Sequence, residues 1–125
     1  MPTLPETVNA AWENHQGPIV LVTVSTHGSP NAIYATCVRR HAEDEFVIAD
    51  NYMAKTRANV LDGSKGSLLF ITQDNKSFQL KGTFTYESSG PIYDEMKGWL
   101  ETRHPGHAAV VLHVEQVYSG STQLL

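Results

Sequence analysis

Cysteine is nearly missing: Cys37 stands alone among 125 residues. One thiol cannot form an internal disulfide, so a disulfide-stapled secreted scaffold is excluded and a reducing, cytoplasmic setting is expected. Positive charge is also scarce. Nine Lys and Arg face thirteen Asp and Glu, a net charge of −4. No basic stripe that could track a phosphate backbone is visible, so nucleic acid is not an expected partner. No apolar run nears the roughly 20 residues of a membrane-crossing helix. The opening Met1-Pro2-Thr3-Leu4-Pro5 lacks the basic start and apolar stretch of a signal peptide. Membrane is therefore not an expected partner either. Repeats, low-complexity tracts and linkers are absent as well, so residues 1–125 are expected to form one domain.

What remains is an ordinary globular composition, 41% hydrophobic and 18% charged, enough for a core without staples. A first helix is expected over residues 5–16. Thr3 and Glu6 have capping-box spacing, Val8, Ala11 and Trp12 share a face, and Gly17-Pro18 is the stop. Residues 19–24 are a β-branched run and read as a buried strand. Strands are expected next at 31–39 and 46–50, which with the first make an antiparallel meander. A short helix over 54–61 ends at Asp62-Gly63. Strands at 67–72 and 78–86, a helix over 91–102 and a closing strand at 108–117 complete the chain. Strands in blocks rather than alternating with helices argue against a doubly wound parallel sheet. They favour a mainly β, antiparallel barrel of six or more strands with about three peripheral helices.

Few residues announce chemistry. His104 and His107 are three apart but separated by Pro105-Gly106, so no helix face presents them together, and no metal site is expected. Cys37 has no Cys-x-x-Cys partner and reads as a small core thiol. No serine sits in a nucleophile elbow. No catalytic residue is assigned. The informative segment follows the third strand, where a helix begins with Lys55-Thr56-Arg57. Free amide donors, two cations and a hydroxyl make a seat for a phosphate. The same residues also suit a surface helix with solvated charges, and the residues alone leave both readings open.

Three segments, in order, resemble the pyridoxamine 5′-phosphate oxidase-like family of FMN-binding split barrels. The best is Phe46-Val47-Ile48-Ala49-Asp50-Asn51-Tyr52-Met53-Ala54-Lys55-Thr56-Arg57-Ala58-Asn59-Val60. The others are Gln79-Leu80-Lys81-Gly82-Thr83 and Ala108-Ala109-Val110-Val111-Leu112-His113-Val114. The resemblance spans nearly the whole chain. It implies a split β-barrel, a homodimer, and FMN bound at the subunit interface. It implies that Lys55 and Thr56 hold the phosphate, and that Tyr34, Ala35, Thr36 and Cys37 run beside the cofactor. Ala49, Asp50 and Asn51 are implied to line the ring edge through backbone groups. Residues near His104 and His107 are implied to reach in from the partner subunit.

The family's substrate-phosphate set aligns with Trp99, Arg103 and His107, where only the arginine is kept. A lysine on its second strand becomes Arg39, and a flavin-contacting glutamine becomes Ser77. Vitamin B6 oxidation is therefore not expected. The expected function is an FMN-dependent oxidoreductase passing electrons between a reduced nicotinamide or small substrate and the flavin. The alternatives are a non-enzymatic FMN-binding or electron-transfer protein, or a split barrel using deazaflavin or haem.

Overall fold

A computed structural model describes residues 3–125. Its elements are α1 (Glu6–Glu13), β1 (His15–Val24), β2 (Pro30–Ala35), β3 (Val38–Ala42), β4 (Glu45–Asp50), α2 (Lys55–Leu61), β5 (Lys65–Thr72), β6 (Ser77–Glu87), α3 (Pro91–Trp99), β7 (Ala108–Ser119) and β8 (Thr122–Gln123). All strand pairs are antiparallel, in the order β2-β1-β5-β6-β7-β4-β3, with β8 hung on β7. The fold is a split β-barrel, as the resemblance implied.

The barrel core is built by alternation. Ile19 and Leu21 of β1, Phe46 and Ile48 of β4, Leu68 and Phe70 of β5, Leu80 of β6 and Leu112 of β7 point inward and are buried. Successive strand residues face opposite sides, so a strand that is apolar throughout must be covered on both. That is the state of β4 and β7. Their outward residues Val47, Ala49, Ala109 and Val111 form a second core with Met96 and Leu100, beneath α3. Helix α1 packs Val8, Ala11 and Trp12 into the barrel core. Its Trp12 meets Phe46 and Phe70 edge to face at 4.8 and 5.3 Å, the geometry ring quadrupoles prefer.

Two glycines let the strands approach. Gly66 and Gly82 are directly paired across β5 and β6. A Cβ on Gly66 would lie 2.0 Å from the Val22 carbonyl oxygen, and one on Gly82 would lie 1.8 Å from that of His113. Gly82 sits at a register shift between β6 and β7, where a bulge tightens the bend.

The expected second strand over 31–39 is instead two strands. The chain breaks at Thr36-Cys37, β2 pairs with β1 and β3 pairs with β4, and the two lie at opposite edges of the sheet. The expected three-strand meander therefore does not form, and this break is the split in the barrel. Gly17-Pro18 does not separate α1 from β1, because β1 already starts at His15. Gly17 has φ +69° and lies within a register shift against β5, between Gln16 and Val20. The Thr3–Glu6 capping box is not made: Pro5 is the N-cap residue, without a side-chain cap. Helix α3 ends at Trp99 rather than residue 102.

Candidate functional site

The break at Thr36-Cys37 opens a cavity of about 510 Å³ between the end of β2, the end of β4 and the segment leading into α2. Small-molecule clefts commonly span about 300–1,000 Å³. Tyr34, Ala35, Thr36, Cys37, Ala49, Asn51, Lys55 and Thr56 all line it. These residues come from three separate segments, and the topology brings them together. The Cys37 carbonyl accepts the Ala49 amide at 3.0 Å, which pins the crossing chain to β4. Ile33, Ile48 and Met53 add apolar wall. Tyr34 and Tyr52 line the cavity yet remain 77% exposed.

Asp50 is placed differently from the expectation that it lines a ring edge. It lies behind the wall, fully buried, and its carbonyl is taken by the His107 amide at 2.8 Å. Its carboxylate accepts the Met53 amide at 3.1 Å, the Tyr86 hydroxyl at 2.7 Å, and two bonds from Arg57 at 2.6 and 3.0 Å. Burial on its own would raise the Asp50 pKa. The hydrogen bonds from Arg57, Tyr86 and Met53, with the Arg57 charge, outweigh it and hold the carboxyl below its ordinary value. The Asp50 hydrogen bond in turn raises Arg57, and burial followed by the same carboxylate raises Tyr86.

Arg57 was expected to be a second cation for a phosphate. Its guanidinium is committed to Asp50 instead. Lys55 is different: it is exposed, and among the described residues it makes no ion pair or side-chain hydrogen bond. Thr56 is 1% exposed, and its Oγ1 accepts Asn31 Nδ2 at 3.0 Å. Helix α2 has only seven residues, so its dipole adds little. Any anion here would be held by side chains first.

His104 lines the cavity of its own chain, where the resemblance implied an approach from a partner. Asn51 Oδ1 holds the 104–107 segment there by accepting the Gly106 amide at 3.0 Å. His107 itself is exposed and does not line the cavity. Among the described residues no Asp or Glu lines the cavity, although acidic residues outnumber basic ones in the chain. The cavity can therefore take an anion without like-charge repulsion at its wall.

Sequence reasoning did not assign Asn31, Ile33, Ile48, Tyr52, Met53 or Ala54 to the site. Ile33, Ile48 and Met53 carry the same apolar signal as any core residue. Nothing in the sequence couples Asn31 to Thr56, 25 positions on.

A barrel split at one crossing, with a cleft at the split, defines the class of fold. The sequence profile of the pyridoxamine 5′-phosphate oxidase family matches residues 4–120, and the chain belongs to that family. An uncharacterised protein of Methanocaldococcus jannaschii is 30% identical over 106 residues, which are 81% of this chain and 71% of that protein. Among solved structures the chain is similar to HupZ of Group A Streptococcus, at 21% identity with a TM-score of 0.83, over 98% of each chain. It is also similar to an FMN-binding protein of Syntrophomonas wolfei, at 18% identity with a TM-score of 0.74, over 92% of this chain and 82% of that one.

Proposed function

We propose that this protein binds FMN in the cavity at the split and serves as an oxidoreductase. One observation carries the reading. A wall free of carboxylates presents an uncommitted lysine, Lys55, beside a buried threonine hydroxyl, Thr56. An ammonium and a hydroxyl are donors suited to a phosphate dianion. Membership of the pyridoxamine 5′-phosphate oxidase family supports it, as does the similar fold of a protein described as FMN-binding.

In this reading Lys55 and Thr56 hold the phosphate, and the strand from Tyr34 to Cys37 runs beside the cofactor. Ala49 and Asn51 flank the ring edge, while Ile33, Ile48 and Met53 give it apolar cover. FMN supplies the electron-accepting ring, and the protein binds, orients and tunes it. Asp50 and Tyr86 are locked in their own network and are not proton donors to the cavity. Electrons come from a reduced nicotinamide or a small substrate. Arg103 pairs with Glu101 at 2.9 Å on the exposed surface and does not line the cavity.

A homodimer belongs to the same proposal. On the outer face of the sheet Tyr34, Val20 and Leu69 form one cross-strand row over β2, β1 and β5. Val24 and Ile71 extend it, 38% and 40% exposed. Next to it lies a groove of about 740 Å³ whose walls include Val22, Lys65, Lys81 and Glu115. An apolar face of this kind is ordinarily covered by a partner. Tyr34 belongs both to the row and to the cavity, so a second copy seated on the row would also border the cofactor.

The test is an absorption spectrum of the purified protein before and after adding FMN, read beside a sizing column. Flavin bands that migrate with a dimer, together with NAD(P)H consumption, are expected. Bound flavin without turnover would favour an electron carrier. A colourless protein unresponsive to FMN would overturn the reading.

A further inference from the structure

Helix α2 is docked on the β1–β2 hairpin by two matched bonds. Asn31 Nδ2 donates to Thr56 Oγ1, and Asn59 Nδ2 donates to Thr23 Oγ1, each at 3.0 Å. Thr23 and Asn31 are paired residues across the hairpin. Thr56 and Asn59 are three apart on the helix, hence on one face. Thr56, Asn59 and Thr23 are all buried. The two halves differ in one respect: Thr56 and Asn31 line the cavity, and Thr23 and Asn59 do not.

A hydroxyl has one hydrogen to donate and lone pairs that accept. Because Asn31 Nδ2 donates to one lone pair of Thr56 Oγ1 and cannot itself accept, the hydroxyl hydrogen remains for another acceptor. We propose that Asn31 is a positioning residue that, by donating to Thr56 Oγ1, leaves the Thr56 hydroxyl hydrogen available toward the cavity, and so sets a preference for phosphorylated over unphosphorylated ligands. This rests on the FMN reading above. It adds a residue that touches the ligand's donor rather than serving only to hold the helix. Thr23 and Asn59 provide the internal comparison, with the same bond chemistry and a purely docking role.

The experiment is a double-mutant cycle on the full chain, with FMN and riboflavin as paired probes. Asn31→Ala and Thr56→Val are each expected to weaken FMN binding about 10-fold, the scale of one hydrogen bond to a charged group. Riboflavin binding is expected to stay within about 2-fold, as the lost bond is to the phosphate alone. The double variant is expected to bind FMN no more weakly than Thr56→Val, because Asn31 acts through that hydroxyl. Thr23→Val is expected to lower the melting temperature while leaving the FMN-to-riboflavin ratio unchanged.

Losses that multiply in the double variant would overturn the proposal, as would parallel losses for both flavins or an unchanged FMN affinity in Asn31→Ala. Should Asn31→Ala fail to fold, Asn31→Asp keeps the size and can only accept the Thr56 hydrogen. It is expected to lose FMN selectively, and retained FMN preference there would overturn the proposal. A wild-type protein that binds neither flavin would overturn the FMN reading itself. A wild type that prefers FMN, with variants that keep that preference, would overturn only the role of Asn31.

Discussion

Arg57 grips Asp50 with two bonds, Nε to Oδ2 at 2.6 Å and Nη2 to Oδ1 at 3.0 Å, and the carboxylate they hold is fully shielded from water. The pair joins the end of β4 to the second residue after Lys55. With Met53 and Tyr86 on the same carboxylate, it fixes the segment that forms one wall of the cavity.

Removing that carboxylate has a predictable cost. Asp50→Asn should destabilise the fold by about 3 kcal/mol near neutral pH, the low end for breaking a buried pair, because Arg57 keeps some access to water. Urea unfolding measures it, and a change under about 1 kcal/mol would contradict the role given to Asp50.

The pH dependence follows from the lowered pKa of Asp50. The unfolded carboxyl titrates near its ordinary value of about 4, and the folded one lower still. The stabilisation is complete above the unfolded value. It is lost as pH falls from there through the folded value, because the unfolded chain binds the proton first. Acid unfolding of wild type should therefore steepen below about pH 4 relative to Asp50→Asn. Asp74 and Glu101 are also lowered but are present in both proteins, so the difference isolates Asp50.

Lys55→Ala should weaken FMN by about 1.5–3 kcal/mol, roughly 10- to 150-fold, with riboflavin bound equally by variant and wild type. Isothermal titration with both flavins reads it. Because Arg57 is tied to Asp50, no second cation of that segment stands ready to compensate.

Two glycine replacements should act with opposite signs. Gly82→Ala places a Cβ 1.8 Å from the His113 carbonyl oxygen, a backbone contact that must be relieved by parting β6 from β7. A loss of about 3 kcal/mol or more is expected from such overpacking. Gly98→Ala, in α3 with nothing within 4 Å of the new carbon, should gain about 0.5–1 kcal/mol from helix propensity. Thermal melts of the two variants compare them directly.

The outer row on β2, β1 and β5 predicts assembly. Leu69→Lys puts a charge beside Val20 at the centre of the face proposed to be covered by a second copy. Analytical ultracentrifugation should show a dimer for wild type and a monomer for the variant, with FMN affinity reduced as well. A variant still dimeric would place the interface elsewhere.

Parts of this architecture were legible before any coordinates. The runs Ile19 to Val24, Phe46 to Ala49 and Ala108 to Val114 are apolar at nearly every position, and each proved to be a strand of the barrel. Lys55 and Thr56 stood out because a cation and a hydroxyl open the helix that follows a strand. The split did not stand out. After Pro30 no glycine or proline interrupts the run to Ala42, so local pattern could not show that the chain changes sheet edge at Thr36-Cys37. That choice is made by pairing with β1 on one side and β4 on the other, which is a tertiary decision. Arg57 misled for a related reason: a cation at a helix start looks available until its partner, seven residues earlier on another element, is in place. The Thr3–Glu6 capping pattern was likewise a local signal with no matching bond in the fold.

The central claim is that the cavity at the split recognises a flavin through its phosphate. Titrating FMN fluorescence with wild-type protein, in parallel with riboflavin, tests it most directly. Quenching that saturates at about one FMN per chain, with FMN bound at least about 10-fold more tightly than riboflavin, is the predicted result for one charge-assisted phosphate contact. Unquenched FMN, or equal affinity for the two flavins, would contradict it.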